Sequence, residues 1–192
     1  MKKAVFLDRD GTINIDEHGY ISKPEDFVLY PYAAEAISIL NKLDCHIFVI
    51  SNQSGIARGY YSFEELEEIH QKMLSELEGS GAQITEIFIS PYHKDGKVEP
   101  YNIEHEDRKP GLGLFKQALQ KHSFSIKNSF MIGDKYSDIA FGRKAGLITI
   151  LVRSGEGNEE FLQHRNSRQY KPHYVAKDLL SAAKLIERME NQ

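Results

Sequence analysis

Phe6-Leu7-Asp8-Arg9-Asp10-Gly11-Thr12-Ile13-Asn14 decides the fold. The apolar run Val5-Phe6-Leu7 stops where two carboxylates, a glycine and a hydroxyl take over. A run this short and this apolar suits a strand buried on both faces of a parallel sheet. Asp8 and Asp10 stand two positions apart, so both side chains face the same way if the backbone stays extended past Leu7. Two carboxylates at one strand end can share a metal ion, or divide the work of nucleophile and acid/base. Gly11 permits a tight turn that exposes nearby backbone amides. The bland alternative is an aspartate-rich turn at a strand end.

Working outward, apolar runs alternate with helical patterns. Ala33, Ala36, Ile37, Leu40 and Leu43 keep helical spacing, and His46-Ile47-Phe48-Val49-Ile50 reads as the second strand, ending at Ser51-Asn52. Ser62 and Glu65 form a capping box. Phe63, Leu66, Ile69, Met73 and Leu77 then make a stripe that reads as core packing, with Gly79 and Gly81 as its stop. Ile84 to Ile89 is a third strand candidate. Residues 90–108 are polar and aperiodic, and loops of that length are often functional.

A helix follows Pro110, using Leu112, Leu114, Phe115, Ala118 and Leu119. Phe130-Met131-Ile132 runs into Gly133-Asp134, a helix follows Ser137, and Leu147 to Val152 is the fifth strand candidate. Residues 155–171 are polar, as a mobile segment would be. Tyr174-Val175 and a helix from Asp178 to about Met189 complete the chain. The pattern predicts an α/β fold, a Rossmann-like parallel sheet flanked by helices and joined by right-handed crossovers. The whole span 1–192 is expected to form one domain, with 90–108 as a substrate segment.

In such a sheet the strand ends lie on one edge, where open α/β proteins bind ligands. That edge gathers Asp8, Asp10, Ser51, Asn52 and Asp134. An oxygen-only set such as Asp8, Asp10 and Asp134 favours magnesium over zinc. Asp138 can hold a metal-bound water, or it can be a helix-start aspartate that favours the dipole. Lys135 reads as a neutralising charge beside these acids. Ser51 and Asn52 can donate to phosphate oxygens, or they can form a polar turn. Lys109, between Arg108 and Pro110, can neutralise both a carboxylate and a phosphoryl group. Together the groups suit phosphoryl transfer, with an attacking aspartate and the remaining donors stabilising charge on phosphorus oxygens.

Composition narrows the field. With 28 acidic against 24 basic side chains, the chain gathers no nucleic acid. One cysteine, Cys45, excludes an internal disulfide and any zinc site of several thiolates. No apolar run reaches the ~20 residues of a membrane span, and Met1-Lys2-Lys3 leads into a strand rather than a signal peptide. A cytoplasmic protein is the expectation. No GxxxxGK[ST] phosphate loop occurs, which argues against a nucleotide switch.

Asp8-Arg9-Asp10-Gly11-Thr12, Ser51-Asn52, Lys109 and Gly133-Asp134-Lys135-Tyr136-Ser137-Asp138 resemble the four ordered motifs of the haloacid dehalogenase-like phosphatases. Asn52-Gln53-Ser54-Gly55-Ile56-Ala57-Arg58-Gly59 and Arg108-Lys109-Pro110 narrow the resemblance to the branch that holds heptose bisphosphate phosphatases and histidinol-phosphatase domains. It spans roughly residues 3–190. The resemblance implies Asp8 as nucleophile and Asp10 as general acid/base. It implies Mg²⁺ held by Asp8, the Asp10 main-chain carbonyl and Asp134, with Asp138 in support. Ser51 and Lys109 would bind the transferred phosphoryl group, and Asn52, Arg58 and Arg108 would contact substrate. The branch lacks a large cap. Only 38 residues, 13–50, separate Thr12 from Ser51, and a loop, a helix and a strand already occupy them.

Many members of the branch carry a structural zinc before the Arg-Lys pair. The matching positions here are Ser90-Pro91-Tyr92 and His105-Glu106-Asp107, without thiolates. A structural zinc is therefore not expected, even with His93 and His105 nearby. Tyr92, Pro100 and Tyr101 are expected to shape the loop instead. The expected substrate is a small phosphorylated metabolite, first a sugar bisphosphate such as heptose 1,7-bisphosphate, with histidinol phosphate as the rival. An inactive phosphate-binding protein would be expected to lose Asp8, Asp10 or Asp134, and all three are present.

Overall fold

The structure is a computed structural model that describes residues 1–16, 19–166 and 171–191. Six parallel strands form its centre: β1 (Lys3–Leu7), β2 (Cys45–Asn52), β3 (Glu86–Ser90), β4 (Phe130–Gly133), β5 (Ile148–Val152) and β6 (Tyr174–Ala176). Their order is β3-β2-β1-β4-β5-β6. Chain order therefore reverses between β1 and β4, where Leu7 is paired with Val49 on one side and Ile132 on the other. Reversal points of this kind open a crevice at the strand ends.

The pleat sends alternate β1 residues into two cores. Val5 and Leu7 pack with Ile47, Val49 and Ile132 beneath α1 (Ala33–Lys42), α3 (Phe63–Glu78) and α7 (Leu179–Glu190). Ala4 and Phe6 face the opposite layer, α4 (Gly113–Lys121) and α5 (Tyr136–Ala145). The Phe6 ring lies 5.2 Å from Phe48 and 5.6 Å from both Phe115 and Phe124. Each such pair adds about 0.5–1.5 kcal/mol beyond area burial, so truncating Phe6 to Ala should cost about 3–5 kcal/mol.

The capping box starts α3: Glu65 N–H donates to Ser62 Oγ at 3.2 Å, and Ser62 N–H to Glu65 Oε2 at 2.7 Å. Some boundaries move from the expected ones. The third strand starts at Glu86 rather than Ile84, because Thr85 turns its hydroxyl to the Ile47 N–H. The polar stretch 155–171 contains α6 (Gly157–His164), and residues 167–170 lie outside the described residues. A four-residue helix, α2 (Gly55–Arg58), also forms after β2. Between β1 and α1 the described residues hold a turn and a 3-10 helix, Pro24–Asp26, and no large cap. No helix among the described residues is long and apolar enough to cross a membrane.

Candidate active site

Asp8 follows β1, Asp134 follows β4, and Asp138 lies in the first turn of α5. Carboxylate oxygens of these three buried residues lie within 4.8 Å of one another. Lys109, from the segment before α4, enters between them. Its Nζ lies 2.7 Å from Asp8 Oδ1, 2.7 Å from Asp138 Oδ1 and 2.7 Å from the Ile50 carbonyl. Burial alone would lower the Lys109 pKa, but Asp138 and Asp8 outweigh it and raise it. Asp138 serves two partners, since its Oδ2 also accepts from the Lys135 N–H at 3.0 Å. Burial pushes the Asp138 carboxyl up to about 6, with Lys109 opposing and Asp8 adding repulsion.

Among the described residues, Asp134 has no cation of its own at contact distance. Its Oδ2 accepts from the Glu156 N–H at 2.9 Å, while its Oδ1 is buried without a donor. Burial, then repulsion from Asp8 and Asp138, raises its pKa well above the usual carboxylate range. Two glycines make the close fit possible. Gly11 (φ +79°) and Gly155 (φ +54°) face each other, and a Cβ on either would fall on the Asp134 carboxylate. An orphaned oxygen among three mutually repelling carboxylates fits a hard divalent cation of the magnesium type.

Asp10 has other partners than Asp8. Its carboxylate is not part of the acidic cluster. It accepts from Arg9 Nε and Nη2, both at 3.0 Å, from Asn14 Nδ2 at 3.1 Å and from Gln53 Nε2 at 2.9 Å. Extended pairing ends at Leu7, and a turn then brings the Gly11 N–H back to the Asn14 carbonyl. Burial would raise the Asp10 pKa, but the Arg9 guanidinium and the three donors more than offset it and lower it.

Ser51 is buried at the end of β2, where its Oγ accepts from Gln53 Nε2 at 2.7 Å. Asn52 is bonded to the Lys109 backbone in both directions: Lys109 N–H to Oδ1 at 2.9 Å, and Nδ2 to the Lys109 carbonyl at 3.2 Å. A cavity of about 360 Å³ opens above these groups, and Asp10, Asn52, Arg108 and Lys109 are among its walls. Asp16 also reaches it. Burial and the repulsion of Asp10 lift the Asp16 carboxyl to about 6, and its buried Oδ1 has no donor among the described residues. Arg58 is not a wall residue; its Nη2 sits 3.3 Å from His93 Nε2. Burial first, then the Arg108 and Arg58 charges, lowers the His93 pKa.

The 90–108 segment is held by rings and main-chain bonds. Tyr92 stacks on His105 with centroids 3.9 Å apart, and Tyr92 and Phe63 each contact Tyr101. Lys97 and Val98 N–H groups donate to the Ala57 carbonyl at 2.6 and 2.9 Å. The segment then presents Arg108, whose Nη1 is 3.4 Å from the Tyr92 carbonyl.

Residue patterns did not single out Arg9, Asp16, Tyr61 or the Ser154-Gly155-Glu156 turn as parts of this region. The last of these had a readable signal. It follows the fifth strand on the same sheet edge, with a glycine between polar residues.

Comparisons with known proteins bear out the family resemblance. A family model described as HAD-hydrolase-like matches residues 107–182. The D-glycero-beta-D-manno-heptose-1,7-bisphosphate 7-phosphatase of Pasteurella multocida is 34% identical over 192 residues, covering 100% of both chains. The D-glycero-alpha-D-manno-heptose-1,7-bisphosphate 7-phosphatase of Photorhabdus laumondii is 36% identical over 186 residues, 96% of this chain and 97% of its own. The crystal structure of the D,D-heptose 1,7-bisphosphate phosphatase from B. bronchiseptica, complexed with magnesium and phosphate, superposes with a TM-score of 0.85 at 26% identity. That match covers 97% of this chain and 99% of the other.

Proposed function

The chain belongs to the haloacid dehalogenase-like phosphatases, in the family of the heptose-1,7-bisphosphate 7-phosphatases, and we propose that it is a Mg²⁺-dependent phosphatase that removes the 7-phosphate of D-glycero-D-manno-heptose 1,7-bisphosphate. The observation that carries the reading is Lys109. Its ammonium is shared by two buried carboxylates beside a third, at the mouth of a cavity walled by Arg108. The relatives named for this substrate, in two anomeric forms, support the sugar bisphosphate.

Residues 1–192 act as one catalytic domain, with 90–108 choosing substrate. Asp8, Asp134 and the Asp10 main-chain carbonyl would hold Mg²⁺, with Asp138 in support. When bound, the ion offsets the negative charge of the phosphoryl oxygens and of the carboxylates around them. Asp8 attacks phosphorus and forms an aspartyl-phosphate. Ser51 and Lys109 bind the transferred group, and Asn52 keeps Lys109 in register. Asp10 protonates the leaving alkoxide and then takes a proton from the attacking water. Arg108, backed by Arg58, binds the phosphate that stays on the sugar, for which a guanidinium fork is suited.

The test is an initial-rate screen with Mg²⁺ over both heptose 1,7-bisphosphate anomers, histidinol phosphate, fructose 1,6-bisphosphate and simple monophosphates. A kcat/KM preference for a heptose bisphosphate is expected. A preference for histidinol phosphate would replace the substrate and leave the phosphatase chemistry standing.

A further inference from the structure

Behind Asp10 lies a buried polar network that the proposed chemistry does not use. Arg9 is 1% exposed. It spends Nε and Nη2 on Asp10, and its Nη1 sits 3.3 Å from His70 Nε2 on α3. A guanidinium only donates, so His70 Nε2 must accept and the ring is neutral. Burial and the Arg9 charge agree with this, lowering the His70 pKa to about 4.

The same logic orients Gln53. Its Oε1 receives the Tyr61 hydroxyl at 2.6 Å and Arg9 Nη2 at 3.3 Å. Two donors on one side fix the amide, so Nε2 must face the other way. There it has two acceptors, Asp10 Oδ2 at 2.9 Å and Ser51 Oγ at 2.7 Å. Ser51 therefore accepts from Gln53, and its own proton is free to donate elsewhere.

We infer that Gln53 is a positioning residue, locked by Tyr61 and Arg9, that sets the Asp10 carboxylate for protonating the leaving group. One amide thereby ties the end of β1 to the end of β2, and both of its protons are committed. A residue there that only filled space would need no donor on either side. Desolvating five polar side chains around one point is costly unless each is paired.

The inference rests on Asp10 acting as the acid, and the experiment separates the two. kcat/KM is measured for a sugar or alkyl phosphate, whose leaving alkoxide needs a proton, and for 4-nitrophenyl phosphate, whose phenolate does not. Wild type, Asp10→Asn, Gln53→Met and Tyr61→Phe are compared, with thermal melts as a check on folding. Asp10→Asn should lose far more on the alkyl than on the aryl ester. Gln53→Met should show the same selectivity at about tenfold. Tyr61→Phe, which removes one hydroxyl and keeps the ring, should show it at about threefold, with KM little changed. Equal losses on both esters in Gln53→Met and Tyr61→Phe, or no loss in either, would overturn the inference while Asp10→Asn stays selective. Equal losses in Asp10→Asn would remove the acid role, and the inference with it.

Discussion

Lys109 Nζ lies 2.7 Å from Asp8 Oδ1, although 101 positions separate the two in the chain. Both are buried, and Asp138 and Asp8 together compensate the Lys109 ammonium for leaving water. Lys109→Met should lower kcat/KM by about 10² or more for every phosphate ester, because all present the same reacting group. It should also destabilise the fold by about 3–5 kcal/mol at neutral pH, the usual cost of stranding a buried charge. The melting temperature should recover as pH falls and the stranded carboxylates take up protons. A variant with wild-type turnover would refute the placement of Lys109 in the chemistry.

The acidic cluster gives a pH dependence with a definite sign. Burial holds Asp138 and Asp16 up near 6, and Asp134 is raised by burial and by its acidic neighbours. Between about pH 4 and 6 the metal-free native state therefore binds more protons than the unfolded chain. Its stability contribution is full below about pH 4 and fades as pH rises through 6. Asp10, lowered by Arg9 against its burial, acts oppositely and only below about pH 4. Mg²⁺ should reverse the loss. At pH 7.5 and 100-fold above its Kd it adds about 2.7 kcal/mol, roughly 5–10 °C in Tm. At pH 5 the shift should be much smaller, which a thermal-shift titration at both pH values checks.

Asp8→Asn should abolish the trapped phosphoenzyme. Asp10→Asn should lower kcat by about 10² or more while substrate still binds. Acid quench and peptide mapping identify the phosphorylated residue, and phosphate found anywhere but Asp8 would reject the assignment.

Arg108→Ala should depress kcat/KM for the preferred bisphosphate roughly 30-fold more than for a matched monophosphate, the equivalent of one charge-assisted contact of ~2 kcal/mol. Parallel kinetics on the same preparations decide it. Equal losses on both would return a monoester such as histidinol phosphate to the front.

Gly155→Ala would put a methyl group on the Asp134 carboxylate from a positive-φ position. Mg²⁺ affinity, measured by calorimetry without substrate, should fall at least tenfold. Unchanged affinity would show that Asp134 can be displaced without consequence for the ion.

Much of the fold and of the site is legible in the sequence. The strand ends at Asp8, Ser51 and Asp134 announce themselves because buried strands are uniformly apolar and stop abruptly. The Ser62–Glu65 box forms because its chemistry is local. Helix α6 was hidden: apart from Gly157, none of its residues is buried, so it carries no apolar stripe to read. The partners of Asp10 were hidden for another reason. They include Arg9, and Arg9 itself reaches His70, 61 positions away. Spacing at a strand end cannot report a contact made through a distant helix.

Asn52 grips the Lys109 main chain from both sides, and the substrate loop ends one residue earlier. The grip works like a clamp on a string. This fixed point lies between the ammonium and the upstream stacked rings and bonds to Ala57. Changes in 91–105, upstream of the bonds that Glu106 and Arg108 make to Gly113 and Gly111, should therefore leave the reaction itself standing. Divergence among related chains should then concentrate in what is recognised and spare what is cleaved.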